Sequence, residues 1–373
     1  MRTRICMISD THTYPPNPPS TTSNPYRHPL PEADVLLHAG DLTKVGRKDE
    51  HELMVSMLKN APAELKIIIA GNHDITLDEE YYTRVGHYRH RYRTDHTARS
   101  ATAGRDEIPT TAEEGEGPIE SPAEIKALYT GPDAVRAGIR YMEGEGTRRF
   151  RLSNGAVFSV YTSPYTPEFC QWAFAYNRDQ DRFNPPTHDI ATAGGVPAGA
   201  GTGMNPVPGY PAVDIMLTHG PPYGILDQVV PGHQSVGCEH LYRATERAKP
   251  RLHVFGHIHE GYGATRLEWS TLNKSMIQCD RTTTQVNRCV YVDLSSRATN
   301  PLRVGQETLF VNASVVTVQY EPVNAPWVVD LDLPKVNAST GIKGPYMIRE
   351  QYAEEKGEKI KNDRKKKKKK HAL

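Results

Sequence analysis

Five apolar runs in this chain each stop at a short block of metal-binding residue types. Ile5–Ile8 leads to Asp10-Thr11-His12, Val35–Leu37 to Gly40-Asp41, and Lys66–Ile69 to Gly71-Asn72-His73-Asp74. Asp214–Leu217 leads to Thr218-His219-Gly220, and Leu252–Phe255 to Gly256-His257-Ile258-His259. Runs of β-branched and large apolar residues that stop at Gly or polar residues read as buried strands. Ligands of open α/β sheets bind beyond the carboxyl ends of strands. Five such ends can deliver Asp, Asn and His side chains to one place. The blocks supply Asp10, His12, Asp41, Asn72, His219, His257 and His259, with His73 left over. That set suits two divalent ions roughly 3.5–4 Å apart, an arrangement used for phosphoester hydrolysis. Imidazole favours Zn and Fe, while carboxylate and amide oxygens favour Mn and Mg, so the set accepts Mn, Fe, Zn or Mg.

The pattern between the blocks is α/β. Residues 1–75 read as strand, loop, strand, helix, strand, with the Tyr14–Pro31 loop rimming the site. The helix spans Glu50–Lys59 and packs through Leu53, Met54, Met57 and Leu58. Phe150–Leu152 and Val157–Tyr161 flank Ser-Asn-Gly, a hairpin signal. A second helix is expected over Cys238–Lys249, and strands over Thr308–Val311 and Trp327–Leu331. The reading is one catalytic domain over residues 1–334 with flexible insertions near 80–125, 187–211 and 265–306. A polar extension follows over 335–373.

Mean hydropathy is −0.60, and no apolar stretch approaches the roughly 20 residues needed to span a bilayer. The N-terminus lacks the apolar region of a signal peptide, so Asn312-Ala-Ser and Asn337-Ala-Ser read as chance matches to the glycosylation pattern. The five cysteines are scattered without a CxxC, which points to thiols in a reducing compartment; Cys279–Cys289 is the pairing that would be open to them. The segment Lys359–Lys370 carries a net +8, which leaves the rest of the chain near −7 within an overall +1. A cytoplasmic protein is expected, with nuclear import or nucleic-acid anchoring the roles open to Lys365–Lys370.

The ordered blocks D-x-H, G-D, G-N-H-D, a lone His and G-H-x-H resemble the calcineurin-like metallophosphoesterases, with no ligand position substituted. The likeness extends to Gly71–Asp78, Ser163–Glu168 with Trp172, Thr218–Pro222, Val236–Cys238, His253–Gly263 and Leu309–Ser314. These are similar to the branch of metallophosphoesterase-domain-containing proteins. The resemblance implies a four-layer α/β/β/α sandwich of two mixed β-sheets. It implies Asp10, His12, Asp41 and His259 around one ion, and Asp41, Asn72, His219 and His257 around the other, with Asp41 bridging. It further implies attack on phosphorus by a bridging hydroxide, His73 protonating the leaving oxygen and Asp74 orienting His73. The substrate implied is a phosphodiester or a phosphomonoester, with cyclic-nucleotide phosphodiesterase activity the form that the branch suggests.

A lone Asp-x-His or Gly-Asp arises by chance; five blocks in order at strand ends do not. His38 and His253 read as core histidines before supports of the ligands, and Tyr81–His96 reads as a solvated loop before a phosphate site. Tyr223 and His233 are candidates for the substrate rim. Trp172 and Phe174 are candidates for base stacking or for plain core. The competing functions are a binding or scaffold protein with a vestigial site, against which the intact ligands argue, and a nuclease, against which the acidic body argues.

Overall fold

All five apolar runs become strands, and they are shared between two sheets. In chain order the strands are β1 (Arg2–Ile8), β2 (Ala33–His38), β3 (Ala63–Ile68), β4 (Ile139–Tyr141), β5 (Gly146–Arg151), β6 (Val157–Ser163) and β7 (Ile215–Thr218). They continue with β8 (Leu252–Phe255), β9 (Gly263–Glu268), β10 (Asn273–Met276), β11 (Val290–Asp293), β12 (Glu307–Asn312) and β13 (Trp327–Asp332). The six-stranded sheet runs β11-β13-β1-β2-β3-β4 and the seven-stranded sheet β10-β9-β12-β8-β7-β6-β5. This computed structural model describes residues 1–21, 23–87, 119–186 and 205–335. Most of the first expected insertion, 187–204 of the second, the 88–96 part of the Tyr81–His96 cluster and the extension with Lys365–Lys370 lie outside those residues.

Both sheets are mixed. In the first, β1, β2, β3 and β4 are parallel and β13 is antiparallel to β1. In the second, β6, β7, β8 and β12 are parallel, with antiparallel β5 and β9 outside them. The two-residue side-chain alternation of a strand sorts the core into layers. Ile5, Met7, Val35, Leu37 and Ile67 face Phe158, Val160, Leu217, Val254 and Val311 across the sheet–sheet interface. Cys6, Ile8, Leu36 and Ile68 turn outward onto Met54 and Leu58 of helix α1 (Lys48–Asn60) and Ile125 and Tyr129 of α2 (Pro122–Thr130). Tyr161 and Met216 turn onto Leu241, Ala244 and Ala248 of α3 (Glu239–Ala248). The result is the α/β/β/α sandwich that the resemblance implied.

Three expectations need correction. The stretch 265–306 is not a flexible insertion: it holds most of β9, then β10, a helix over Arg281–Asn287 and β11. β10 and β11 are sheet-edge strands; β10 is exposed at every residue and carries no apolar pattern, while β11 holds only the short run Val290-Tyr291-Val292. The expected insertion near 80–125 is bounded by regular structure. Residues Glu79–Gly86 are helical, and α2 starts at Pro122 with Ser121 accepting a hydrogen bond from the Glu124 amide. Leu53 is 41% exposed, and buried Val55 and His51 take the inner face of α1 instead. Asn312 is buried with its amide on the Ile258 carbonyl, which removes it as a glycosylation site. Cys279 and Cys289 carry free thiols. No helix among the described residues is long and apolar enough to cross a membrane.

Candidate metal centre

Because β1, β2 and β3 are parallel, and β7 and β8 are parallel, their carboxyl ends open along one edge of each sheet. The two edges meet. Asp10 N–H donates to the Gly40 carbonyl (2.9 Å), His12 N–H to Asp41 (3.0 Å) and Gly256 N–H to His219 (3.0 Å). The His257 amide donates to both Asp10 carboxylate oxygens at 3.0 and 3.2 Å, which ties the first block to the last. Asp10, His12, Asp41 and His257 have φ of 53°, 41°, 53° and 66°. Non-glycine residues are rare in that region and cost of order 1–3 kcal/mol each, a strain concentrated at functional sites.

All seven ligand candidates converge. His259 Nε2 lies 3.5 Å from Asp10 Oδ1 and 3.4 Å from His12 Nε2. His12 Nε2 lies 3.7 Å from Asp41 Oδ2, while His219 Nε2 lies 3.4 Å from Asp41 Oδ1 and 2.9 Å from Asn72 Oδ1. His257 completes the second group, its ring 5.0 Å from that of His219. The two oxygens of Asp41 thus address different groups, one arrangement by which a carboxylate can bridge two ions. Two ligands each about 2.1 Å from one tetrahedral ion stand about 3.4 Å apart, and the observed separations are of that size.

The tautomers support the same fit. A carbonyl only accepts, so His219 Nδ1–H donates to Ala39 (2.8 Å) and His259 Nδ1–H to Thr317 (3.2 Å). Each Nε2 then faces carboxylate oxygens, where it either carries a second proton and donates to them or turns its lone pair to a cation held between them. Burial works against charge on His219, yet Asp41 overrides it and lifts its pKa to about 9. Burial likewise opposes ionisation of Asp10, but the hydrogen bond to His259 holds its carboxyl at about 2. Positive charge is thus favoured at His219 and beside Asp10, whereas burial pushes His12 and His257 below the ordinary histidine range.

Two glycines make room for it. A Cβ at Gly71 would sit 2.2 Å from Asp41 Oδ1, and one at Gly256 would sit 2.0 Å from Asp10 Oδ2.

A model of the calcineurin-like phosphoesterase family matches residues 3–156, which holds the first three blocks. Over 337 residues the chain is 31% identical to metallophosphoesterase domain-containing protein 1 of Homo sapiens, covering 89% of this chain and 72% of that protein. The Mus musculus protein of the same name matches to the same extent. The UPF0046 protein T07D4.2 of Caenorhabditis elegans is 28% identical over 240 residues, 63% of this chain and 48% of the worm protein. The chain belongs to the calcineurin-like phosphoesterase family.

Against that family frame, His73 and Asp74 part company. The His73 amide donates to Asp41 Oδ1 (2.8 Å) and its Nδ1–H to the Lys44 carbonyl (2.8 Å). Nε2 is left for the cluster, and His73 falls within one ligand-atom group with His12 and Asp41. Burial holds His73 below the ordinary histidine range, against the pull of Asp41. Asp74 was expected to orient the His73 ring, and it is the Lys44 carbonyl that receives the ring N–H instead. The Asp74 side chain leaves the turn on another side. It accepts from the amides of Leu42 (3.2 Å), Thr43 (2.9 Å) and Gly71 (2.8 Å) and from the Thr43 hydroxyl (2.7 Å). It therefore clamps the Gly40-Asp41 block to the Gly71-Asn72 block. Burial and the neighbouring Asp41 carboxylate push its pKa up to about 7, against those donors.

The remaining expectations divide. His38 shares a 3.0 Å hydrogen bond with Thr11 and so supports the first block. His253 sits between Thr218 (2.9 Å) and Thr245 (3.3 Å), joining the His219 block to α3. Trp172 and Phe174 are buried, and the Trp172 indole stacks on the His73 ring at 3.9 Å. A cavity of about 500 Å³ beside this stack is lined by residues of 78–85 and 165–182, among them Tyr81, Arg84, Tyr165, Glu168 and Arg182. Tyr223 and His233 stand on the exposed 221–238 loop instead, Tyr223 at 45%. Tyr320 was missed by sequence reasoning. Its ring packs edge-on against His12 (4.8 Å) and His259 (5.2 Å), from a turn that carries no motif.

Proposed function

We propose that this protein is a dinuclear metal-dependent phosphoesterase acting on phosphodiesters, of cyclic-nucleotide phosphodiesterase type, with manganese a competent metal. The observation that carries the reading is the splitting of Asp41 between two ligand groups whose internal spacings match those of bound divalent ions. Asp10, His12, Asp41 and His259 would hold one ion, and Asp41, Asn72, His219 and His257 the other. When bound, the pair supplies Lewis acidity toward the phosphoryl oxygens and a nucleophile competent at neutral pH.

The protein's own part is orientation and proton transfer. The carbonyls of Ala39 and Thr317 fix the tautomers of His219 and His259, so each offers Nε2. Asp74 holds the second and third blocks in register through its four hydrogen bonds. His73 has Nδ1–H committed to Lys44, so Nε2 is the atom that can hold a proton for the leaving oxygen. A bound anionic phosphoester raises the tendency of that nitrogen to be protonated, opposing the effect of burial.

The test is the purified full-length chain, loaded with Mn²⁺, assayed on an aryl phosphodiester beside Asp41→Asn and His257→Ala. Metal content is measured in parallel. The reading expects about two ions per wild-type chain and at least a hundredfold loss of turnover in both variants. Equal rates in all three proteins, or fewer than one ion per chain under metal-replete conditions, would refute it.

A further inference from the structure

We propose that Trp172 is a positioning residue for His73. Its flat indole, together with the Lys44 carbonyl, holds the imidazole with Nε2 toward the metal-ligand cluster. This rests on the role proposed for His73 above.

Three independent features carry it. First, the rings stack at 3.9 Å between centroids with 27° between planes, and Trp172 is only 7% exposed. The Lys44 carbonyl holds one ring nitrogen and the His12 ring meets His73 edge-on at 4.8 Å; the indole adds a face-on wall that opposes tilting of the imidazole plane. Second, the loop that presents Trp172 adopts costly backbone geometry. Cys170, Gln171 and Phe174 have φ of 52°, 55° and 54°, three left-handed non-glycine residues around one tryptophan. Third, the loop is tethered to the segment that follows the His73 block. The Phe174 amide donates to Asp78 Oδ2 (2.9 Å) and the Tyr81 hydroxyl to the Gln171 carbonyl (2.7 Å). Asp78 also caps the helical turn that follows, through the Tyr81 amide (3.0 Å). The turn after His73 and the loop over its ring are thus one unit.

Trp172 also lines the neighbouring cavity, so its simpler role would be as a wall of the substrate pocket. The two roles predict different kinetics. A positioning residue acts through His73, and its loss lowers kcat while leaving KM nearly unchanged. A pocket wall shifts KM first.

The experiment is steady-state kinetics of the Mn²⁺-loaded full-length chain on an aryl phosphodiester. The proteins compared are wild type, Trp172→Leu, Trp172→Phe, His73→Ala and the His73→Ala/Trp172→Leu double variant. Thermal unfolding confirms that each is folded, and leucine keeps the apolar packing that alanine would lose. We expect Trp172→Leu to lower kcat about 10- to 100-fold, the scale of losing a residue that orients a working ligand or acid, with KM within about threefold. Phenylalanine, which can still stack, should stay within about threefold of wild type. In the His73→Ala background, Trp172→Leu should cost nothing further, because a residue that acts through another has no effect once its partner is gone. A KM-dominated loss, equal behaviour of the leucine and phenylalanine variants, or costs that multiply in the double variant would each overturn the proposal while leaving the phosphoesterase reading intact. A wild-type protein without metal-dependent turnover would overturn that reading first, and this inference with it.

Discussion

Gly71→Ala is the smallest change that tests the architecture of the centre. The substitution adds one methyl group at a position whose backbone tolerates any residue, so its effect comes from space alone. The added carbon would lie 2.2 Å from Asp41 Oδ1, 2.4 Å from the Asp41 amide nitrogen and 2.6 Å from His219 Cε1. Non-bonded heavy atoms approach to about 3.5 Å, so Asp41 or the Gly71 turn must retreat by more than about 1 Å. Retreat of Asp41 breaks the 2.8 Å bond from the His73 amide and moves the carboxylate that both ligand groups share. Displacements of about 1 Å at a reacting centre cost on the order of a hundredfold in rate, or about 2.7 kcal/mol. Overpacking adds about 1–3 kcal/mol of lost stability. The assay pairs metal content with kcat on an aryl phosphodiester and with denaturant unfolding. Gly209→Ala is the control, because its Cβ would meet only Arg247 Cγ at 3.9 Å. A Gly71→Ala protein with full metal content and wild-type kcat would refute the claim that Asp41 is held in place by the absence of a side chain at residue 71.

Three further outcomes are expected. Asp74→Asn places an NH₂ group against N–H and O–H donors that now point at a carboxylate; it should cost about 3 kcal/mol of unfolding free energy and weaken metal binding, both readable by denaturant titration with and without Mn²⁺. His51 is buried between Tyr129 (2.7 Å) and Thr76 (3.0 Å), and burial drives its pKa down to about 3. Its folded value lies below the unfolded value of about 6.5, so the unfolded chain takes the proton first. Stability from this residue is complete above pH 6.5 and falls toward pH 3, by about 2.7 kcal/mol at pH 4.5; His51→Gln should show a pH dependence of unfolding flatter by one proton, and an unchanged slope would count against it. Finally, metal at a hundred times its Kd stabilises a one-site folded state by about 2.7 kcal/mol, so a chelator should lower the melting temperature of wild type and leave that of Asp41→Asn unmoved.

The site was more legible than its support. The five blocks announce themselves because a strand's apolar run and the residues that end it are adjacent in the chain. Edge strand β10 was not legible because it is exposed throughout; β11 does carry a Val-Tyr-Val run, but a short one set in a polar stretch. Leu53 looked like a core position on helical spacing alone, yet the sheet beneath α1 lies under Val55 and His51. The resemblance implied Asp74 as the orienting partner of His73, a role carboxylates often take for imidazoles, but the ring N–H meets the Lys44 carbonyl.

The sequence by itself determined the inventory of candidate ligands, its order and its place at strand ends, since these follow from local apolar periodicity and residue chemistry. Only the tertiary structure decided what surrounds the inventory. Lys44 orients His73 through a backbone carbonyl, a group that every residue carries and that no sequence pattern marks. Trp172 reaches His73, and Tyr320 reaches His12 and His259, from loops distant in the chain. Those contacts depend on the path the backbone takes between the two sheets, and a path is a property of the packed whole.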